Sequence, residues 1–274
     1  ENGKLVGAIN MLVDITERKE SELALVKSEA RLRDFVETTT IGLHWVGPDG
    51  NVLWANRAEM DMLGYTADEY IGQPIAKFHA DGHVINDILE RLARFETLRD
   101  YEARLRCKDG SIRHVLIDSS VYVENDVFVH TRCYTKDVTA QKFAEQRLIT
   151  NARISQILSE SDSLEEACEA VLKTLCDYFD SDVGEIWLGE EALSCVSFYA
   201  RINPPSLEKF RAVALDLKLS PGEGLPGYVW KTRKPVWLED IHNDTPFMRS
   251  GPGRELGLES GFGLPIFSRG LCRG

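Results

Sequence analysis

A short pattern occurs twice in this chain. Val13-Asp14-Ile15-Thr16-Glu17-Arg18-Lys19 and Lys136-Asp137-Val138-Thr139-Ala140-Gln141-Lys142 each close an apolar, strand-like run and open a charged, helix-like one. The copies stand about one domain length apart, which restricts the chain to similar modules in series, each handing its last strand to a helix. Asp14, Thr16, Asp137 and Thr139 are therefore expected to act at junctions as relay residues. Their side chains can accept hydrogen bonds from the unpartnered N–H groups of a helix start. Such a layout suits the passage of a structural change along the chain better than it suits a compact enzyme.

A length of 274 residues leaves room for about two domains, and 43% hydrophobic residues can furnish ordinary cores. The formal charge of −12 argues against nucleic-acid binding and against an anionic membrane surface. No apolar run approaches the ~18 residues of a membrane span. The opening Glu1-Asn2-Gly3-Lys4 has neither initiator Met nor signal peptide, so the chain reads as cut from a longer, cytoplasmic protein. Cysteines 107, 133, 168, 176, 195 and 272 show no CxxC or zinc spacing. Cys168 and Cys176 fall on the apolar face of a helical pattern, as small core residues would.

Residues 4–13 read as a single strand whose partners lie upstream. Helical pattern runs from Thr16 to about Val36, with Leu25 and Leu32 one heptad apart, which fits a short coiled coil or a solvated connector. Residues 41–57 form a hairpin about Pro48-Asp49-Gly50. A short helix over Ala58–Leu63 ends at Gly64, and Thr66-Ala67-Asp68-Glu69 fits a capping box. Val84, Ile85, Ile88, Leu89 and Leu92 make one apolar helical stripe, followed by strands over 101–107, 111–123 and 127–136. A second helical run occupies 139–158, with Ala144, Leu148 and Leu158 on one seam. Ser163-Leu164-Glu165-Glu166 caps the next helix, whose apolar face carries Leu164, Ala167, Cys168, Val171, Leu172 and Leu175. Strands at 183–189 and 193–200 and a helix near 206–215 follow. The fold class is α+β: antiparallel sheets with helices, repeated and joined by helices.

The order of two strands, short helices and three strands resembles a PAS domain over residues 33–142. The resemblance rests on Gly42-Leu43-His44-Trp45, Asp49-Gly50-Asn51-Val52-Leu53-Trp54-Ala55-Asn56, Leu63-Gly64-Tyr65-Thr66, Cys107-Lys108-Asp109-Gly110-Ser111 and Asp137-Val138-Thr139. Residues 1–19 resemble the final strand of a preceding PAS domain, with a linker helix over 20–36 and a signalling helix over 140–162. From about residue 150, Gly222-Glu223-Gly224-Leu225-Pro226-Gly227, Val229-Trp230, Pro235-Val236-Trp237, Asp240, Asp244, Phe247, Arg249 and Gly261-Phe262-Gly263-Leu264-Pro265-Ile266 resemble a GAF domain. That domain reads as truncated within 150–274. The resemblance implies a five-stranded antiparallel PAS sheet and a sensory input and relay region, most simply that of a sensor histidine kinase. Implied partners are a downstream kinase domain, a response regulator and a second copy aligned through parallel linker helices. A cyclic-dinucleotide synthase, a transcriptional regulator or a ligand-free dimerisation scaffold are the alternatives.

Gly222, Gly224 and Gly227 spell G-x-G-x-x-G, but Ser220-Pro221 precede them and Tyr228-Val229-Trp230 read as a short turn. A structural loop is preferred over a stand-alone nucleotide enzyme. The histidines carry no phosphoacceptor box, and no catalytic residue or metal site is visible. In haem-binding PAS domains the axial histidine lies on the helix that here begins near His83. Hand alignment puts Val84 at that position, and a one-residue slip turns a helix by about 100°. No cofactor is expected, with haem through His83 as the lesser alternative. His130 and Cys133 are separated by an odd strand interval and so face opposite ways. Trp45, Trp54, His83 and Ile88 are the candidate ligand-binding residues, around a small apolar pocket between the sheet and the helix from Val84 to Arg94. Simple core packing is the preferred role for the two tryptophans.

Overall fold

The computed structural model describes residues 16–243 and 248–274. The strand expected at 4–13, Asp14, and Asp244 and Phe247 of the second domain's pattern lie outside the described residues. Contacts divide the chain into two units, Glu1–Phe143 and Ala144–Gly274.

The first unit opens with helix α1 (Thr16–Thr38) and strands β1 (Gly42–Val46) and β2 (Val52–Ala55). Their hairpin closes as its residues dictate. Gly50 takes φ +80°, and the Asp49 carboxylate accepts from the backbone and side-chain N–H groups of Asn51 at 3.1 and 2.7 Å. Helix α2 (Arg57–Leu63) stops at Gly64, whose φ of +77° lets its N–H bond the Met60 carbonyl. Helix α3 (Ala67–Tyr70) starts with the Thr66 N–H on the Glu69 carboxylate at 3.0 Å. Helix α4 (Gly82–Ala93) buries Ile85, Ile88 and Leu92 in one core with Phe78, Leu98, Val115 and Ile117. Each such burial is worth about 1.5–3 kcal/mol.

Strands β3 (Leu98–Arg106), β4 (Ile112–Glu124) and β5 (Val127–Asp137) complete a five-stranded antiparallel sheet in the order β2-β1-β5-β4-β3. β3 begins at Leu98, earlier than the alternation suggests. An irregularity between Leu98 and Tyr101, with Asp100 at φ +46° and its N–H on the Asp118 carboxylate, breaks the period of two. Asn125 and Asp126, both at positive φ, turn β4 into β5.

Helix α5 (Thr139–Glu160) is continuous, and Ala144, Leu148, Asn151 and Leu158 on it are exposed. In the second unit, helix α6 (Leu164–Phe179) is capped by Ser163 Oγ, which accepts from the Glu166 N–H at 3.2 Å. It buries Ala167, Cys168, Leu172 and Cys176, whereas Leu164, expected on that face, overhangs the helix start and is exposed. Strands β6 (Val183–Leu188) and β7 (Leu193–Ala200), helix α7 (Leu207–Asp216) and strand β8 (Lys218–Leu219) follow, the strands pairing in the order β6-β7-β8. Helix α8 (Gly224–Thr232), strand β9 (Val236–Leu238), helix α9 (Ser250–Glu255) and strands β10 (Gly261–Gly263), β11 (Phe267–Ser268) and β12 (Leu271–Cys272) complete it. β9 pairs with β10 and β11 with β12.

α8 corrects the reading of a short turn at Tyr228–Trp230. Pro226 sits in the helix's first turn, where no N–H is needed, so it favours a start rather than a break. The glycine loop is structural in its geometry. Gly222 at φ +95° donates its N–H to the Gly227 carbonyl at 2.7 Å, and a Cβ on Gly227 would overlap the Ser220 carbonyl oxygen. An amide used this way is not free to cradle a phosphate. Gly227→Ala is expected to cost the second unit about 1–3 kcal/mol in urea unfolding, as overpacking does, with the first unit's transition unmoved.

Candidate functional site

Strand alternation decides which side chains the first unit encloses. On β1, Gly42, His44 and Val46 face inward while Leu43 and Trp45 face out; on β5, Thr131, Cys133 and Thr135 are buried while Arg132 and Tyr134 are exposed. α2 turns Glu59 and Leu63 inward. Polar groups from distant segments therefore meet in the interior. His44 Nδ1 lies 3.1 Å from Glu59 Oε1, and the Tyr70 hydroxyl donates to the same oxygen at 3.0 Å. Glu59, at 0% exposure, tucks its second oxygen against Gly42, where no Cβ would fit, and that oxygen has no hydrogen-bond partner. Cys133 is the β5 register partner of His44, and Ser119 Oγ and Thr131 Oγ1 approach its sulfur at 3.0 and 3.2 Å.

Burial opposes charge on His44, but Cys133 and Glu59 outweigh it and hold the imidazole well above the ordinary histidine range. Burial likewise pushes the Cys133 thiol up, yet His44, Ser119 and Thr131 together bring it below the usual thiol value. The Tyr70 phenol is raised by burial and by Glu59. His79, buried with Nδ1 unpartnered, is lowered to about 4 by burial and then by the charge on His44.

The strand-to-helix junction is equally explicit. Asp137 Oδ1 accepts from the Thr139 N–H at 2.8 Å, and Thr139 Oγ1 accepts from the His114 N–H on β4 at 2.8 Å. The Val138 N–H bonds the His114 carbonyl at 2.9 Å, and Lys142 pairs with Glu102 on β3 at 2.7 Å. The first turn of α5 is thus fastened to the two strands beyond β5.

The four candidate ligand residues do not converge. Ile88 is core. Trp45, 40% exposed, packs on the outer face of the sheet against Trp54 at 4.9 Å and His130 at 4.6 Å, with Tyr122 next in line. His83 is exposed near the start of α4, one residue short of the inward stripe, so it does not fit an axial haem ligand. On the helix face expected to border a small apolar pocket, Ile85, Ile88 and Leu92 are buried in the core. A cavity of about 280 Å³ beside Val84 is instead edged by Asp81, Glu102, Arg104, His114 and Lys142. Asp14 lies outside the described residues and Thr16 opens α1. Among the described residues no group of three or more His, Cys, Asp or Glu is placed to hold a metal ion.

Sequence reasoning missed His44, Glu59, Tyr70 and Cys133. The available signal was strand parity, which already set Cys133 opposite His130. The second unit holds a cleft of about 800 Å³ walled by Trp187, Phe210, Val229, Trp237 and Phe262. Arg249 grips the Glu185 carboxylate there through two nitrogens at 2.7 and 2.6 Å and lies over the Phe210 ring.

An antiparallel sheet with short helices on its inner face, closing on a strand-to-helix junction, makes the first unit an α+β module. Residues 40–140 match the PAS domain family and residues 161–271 the GAF domain family, so the chain carries a PAS domain followed by a GAF domain, both sensory modules of signalling proteins. Similar solved structures include the PAS domain of an HTR-like protein from Haloarcula marismortui, at 21% identity and TM-score 0.39, covering 43% of this chain and 98% of that one. A PAS domain of a protein from Colwellia psychrerythraea gives 21% identity and TM-score 0.37, covering 42% and 98%. A domain of a sensory box sensor histidine kinase/response regulator from Geobacter sulfurreducens gives 21%, TM-score 0.36, and coverage of 41% and 96%. No curated protein matches the chain. No helix among the described residues is long and apolar enough to cross a membrane.

The low value at His79 fixes a pH dependence. Its folded pKa of about 4 lies below the ordinary 6.5, so its neutral form contributes stability that is complete above pH 6.5 and is lost as pH falls toward 4. His79→Leu should remove about 3 kcal/mol of the difference in unfolding free energy between pH 7 and pH 4, measured by urea titration at both values.

Proposed function

We propose that the chain is the sensory input and relay region of a two-component sensor histidine kinase, acting as a parallel homodimer upstream of a kinase domain that serves a response regulator. The observation that carries this reading is the junction at Asp137 and Thr139. Both side chains are occupied in holding the start of α5 to the sheet, so a change in sheet geometry is delivered to a helix. In this reading residues 1–19 are the end of a preceding PAS domain, Asp14 and Thr16 repeat the junction there, and residues 20–36 and 140–162 are the helices that align the two copies. Leu25, Leu32 and Leu148 form the seam; they are 60, 69 and 67% exposed in the single chain, an arrangement that association would relieve. A small organic molecule held without covalent attachment is the stimulus proposed for these modules, with the aromatic cleft of the second unit the roomier of the two cavities.

Asp137→Ala removes the acceptor at the helix start, a change worth about 0.5–2 kcal/mol at a cap. Kinase output of the full-length protein should shift while ligand affinity stays within a factor of about two; unchanged output would remove the relay assignment. For the dimer, Leu32→Cys is expected to crosslink between chains under mild oxidation and Arg33→Cys to crosslink poorly. Equal yields at the two positions would argue against a defined seam.

A further inference from the structure

The interior of the PAS domain holds chemistry that relay does not use. Cys133 faces inward from β5, with Ser119 Oγ at 3.0 Å and Thr131 Oγ1 at 3.2 Å from its sulfur. His44 stands opposite it in the β1–β5 register. Glu59 holds that imidazole at 3.1 Å, and Tyr70 fixes the same carboxylate oxygen at 3.0 Å. A nucleophile, a proton donor and an orienting carboxylate thus converge from β5, β1 and α2. The other Glu59 oxygen, fully buried, has no partner.

We propose that Cys133 is a redox-sensing thiolate, oxidised by a hydroperoxide to the sulfenic acid with His44 as the proton donor. The sulfur attacks one peroxide oxygen, and the O–O bond breaks as the S–O bond forms. The departing oxygen takes its proton from the His44 imidazolium and leaves as water, or as an alcohol from an organic peroxide. Sulfur is oxidised by one electron pair and the peroxide is reduced by the same pair. The thiol is shifted down and the imidazole up, the directions in which a thiolate–imidazolium pair would shift each group. Cys133 is 6% exposed, so the proposed oxidation requires a local opening of the domain that admits a peroxide little larger than water. After reaction, both charges beside Glu59 are gone, and a buried carboxylate is left without its cation on the strand pair that ends at Asp137.

The same chain supplies the contrast. Burial pushes the thiols of Cys168, Cys176 and Cys195 up, the last two to about 11 and about 12, so all three remain protonated and unreactive. The site does not depend on the kinase reading, and its test reads thiol chemistry rather than signalling output.

The reduced chain is treated with limiting hydrogen peroxide near neutral pH, quenched with catalase, unfolded in dimedone and digested. The adduct at each cysteine is then quantified by mass spectrometry. Cys133 should be labelled at least about tenfold faster than Cys168, Cys176 and Cys195, and folded His44→Gln should slow it by about tenfold or more. Should His44→Gln fail to fold, the ranking of cysteines within the unsubstituted chain decides alone. Equal labelling of all six, labelling of Cys272 with Cys133 untouched, or an unchanged Cys133 rate in folded His44→Gln would overturn the proposal.

Discussion

The side chain of Asn56 uses its hydrogen-bonding capacity in full, and the arrangement of the first unit hangs on it. Its Oδ1 accepts from the Leu43 and Glu59 N–H groups at 2.9 and 3.0 Å, while its Nδ2 donates to the Val36 and Ile41 carbonyls, each at 3.0 Å. One fully buried amide therefore caps α2, pairs with β1 and ties down the last turn of α1. Asp in its place would lack the donors, and Ala would strand buried backbone groups on three elements, each costing about 1–3 kcal/mol.

The interior cluster follows from this anchor. Because Asn56 fixes where α2 begins, Glu59 is delivered one turn later beneath β1, against the space that Gly42 leaves open. His44, two residues further along the same strand face, then finds the carboxylate, and Tyr70 closes the other side. A charged pair sealed this way makes a core that is polar at its centre and aliphatic around it, with Val52, Leu63, Ile88 and Leu98 excluding water. That contrast sets the opposed values at His44, Cys133 and His79.

Local signals were legible in the residues. Asp-Gly turns, Gly64 as a helix stop, the caps at Thr66 and Ser163 and the stripe Ile85/Ile88/Leu92 each act over a few positions, and each is where its chemistry puts it. The α+β class followed from their order, and the five-stranded sheet from the resemblance to a PAS domain that this order and its motifs carry. The cluster was not legible, because His44, Glu59 and Cys133 are brought together only by sheet closure between β1 and β5. A lone Glu in a short amphipathic helix reads as surface. Trp45 and Trp54 drew attention by size, yet parity put them outside, where they stack with His130. α8 escaped because Gly and Pro near its start weigh against a helix in a window average but favour one at its first turn.

β1 and β5 are neighbours, joined at Gly42↔Thr135, Leu43↔Tyr134 and His44↔Cys133. α1 is fastened to the first of these strands and α5 issues from the second, so the incoming and outgoing helices are separated by a single ladder of backbone hydrogen bonds. In the proposed relay, a displacement arriving along α1 would have a route to α5 that bypasses the interior, while events around Cys133 would enter at the rungs of that same ladder. Under the proposed relay and thiol chemistry the module would be a summing point: upstream motion and internal chemistry would act on one mechanical coordinate, and either could offset the other before anything left the domain.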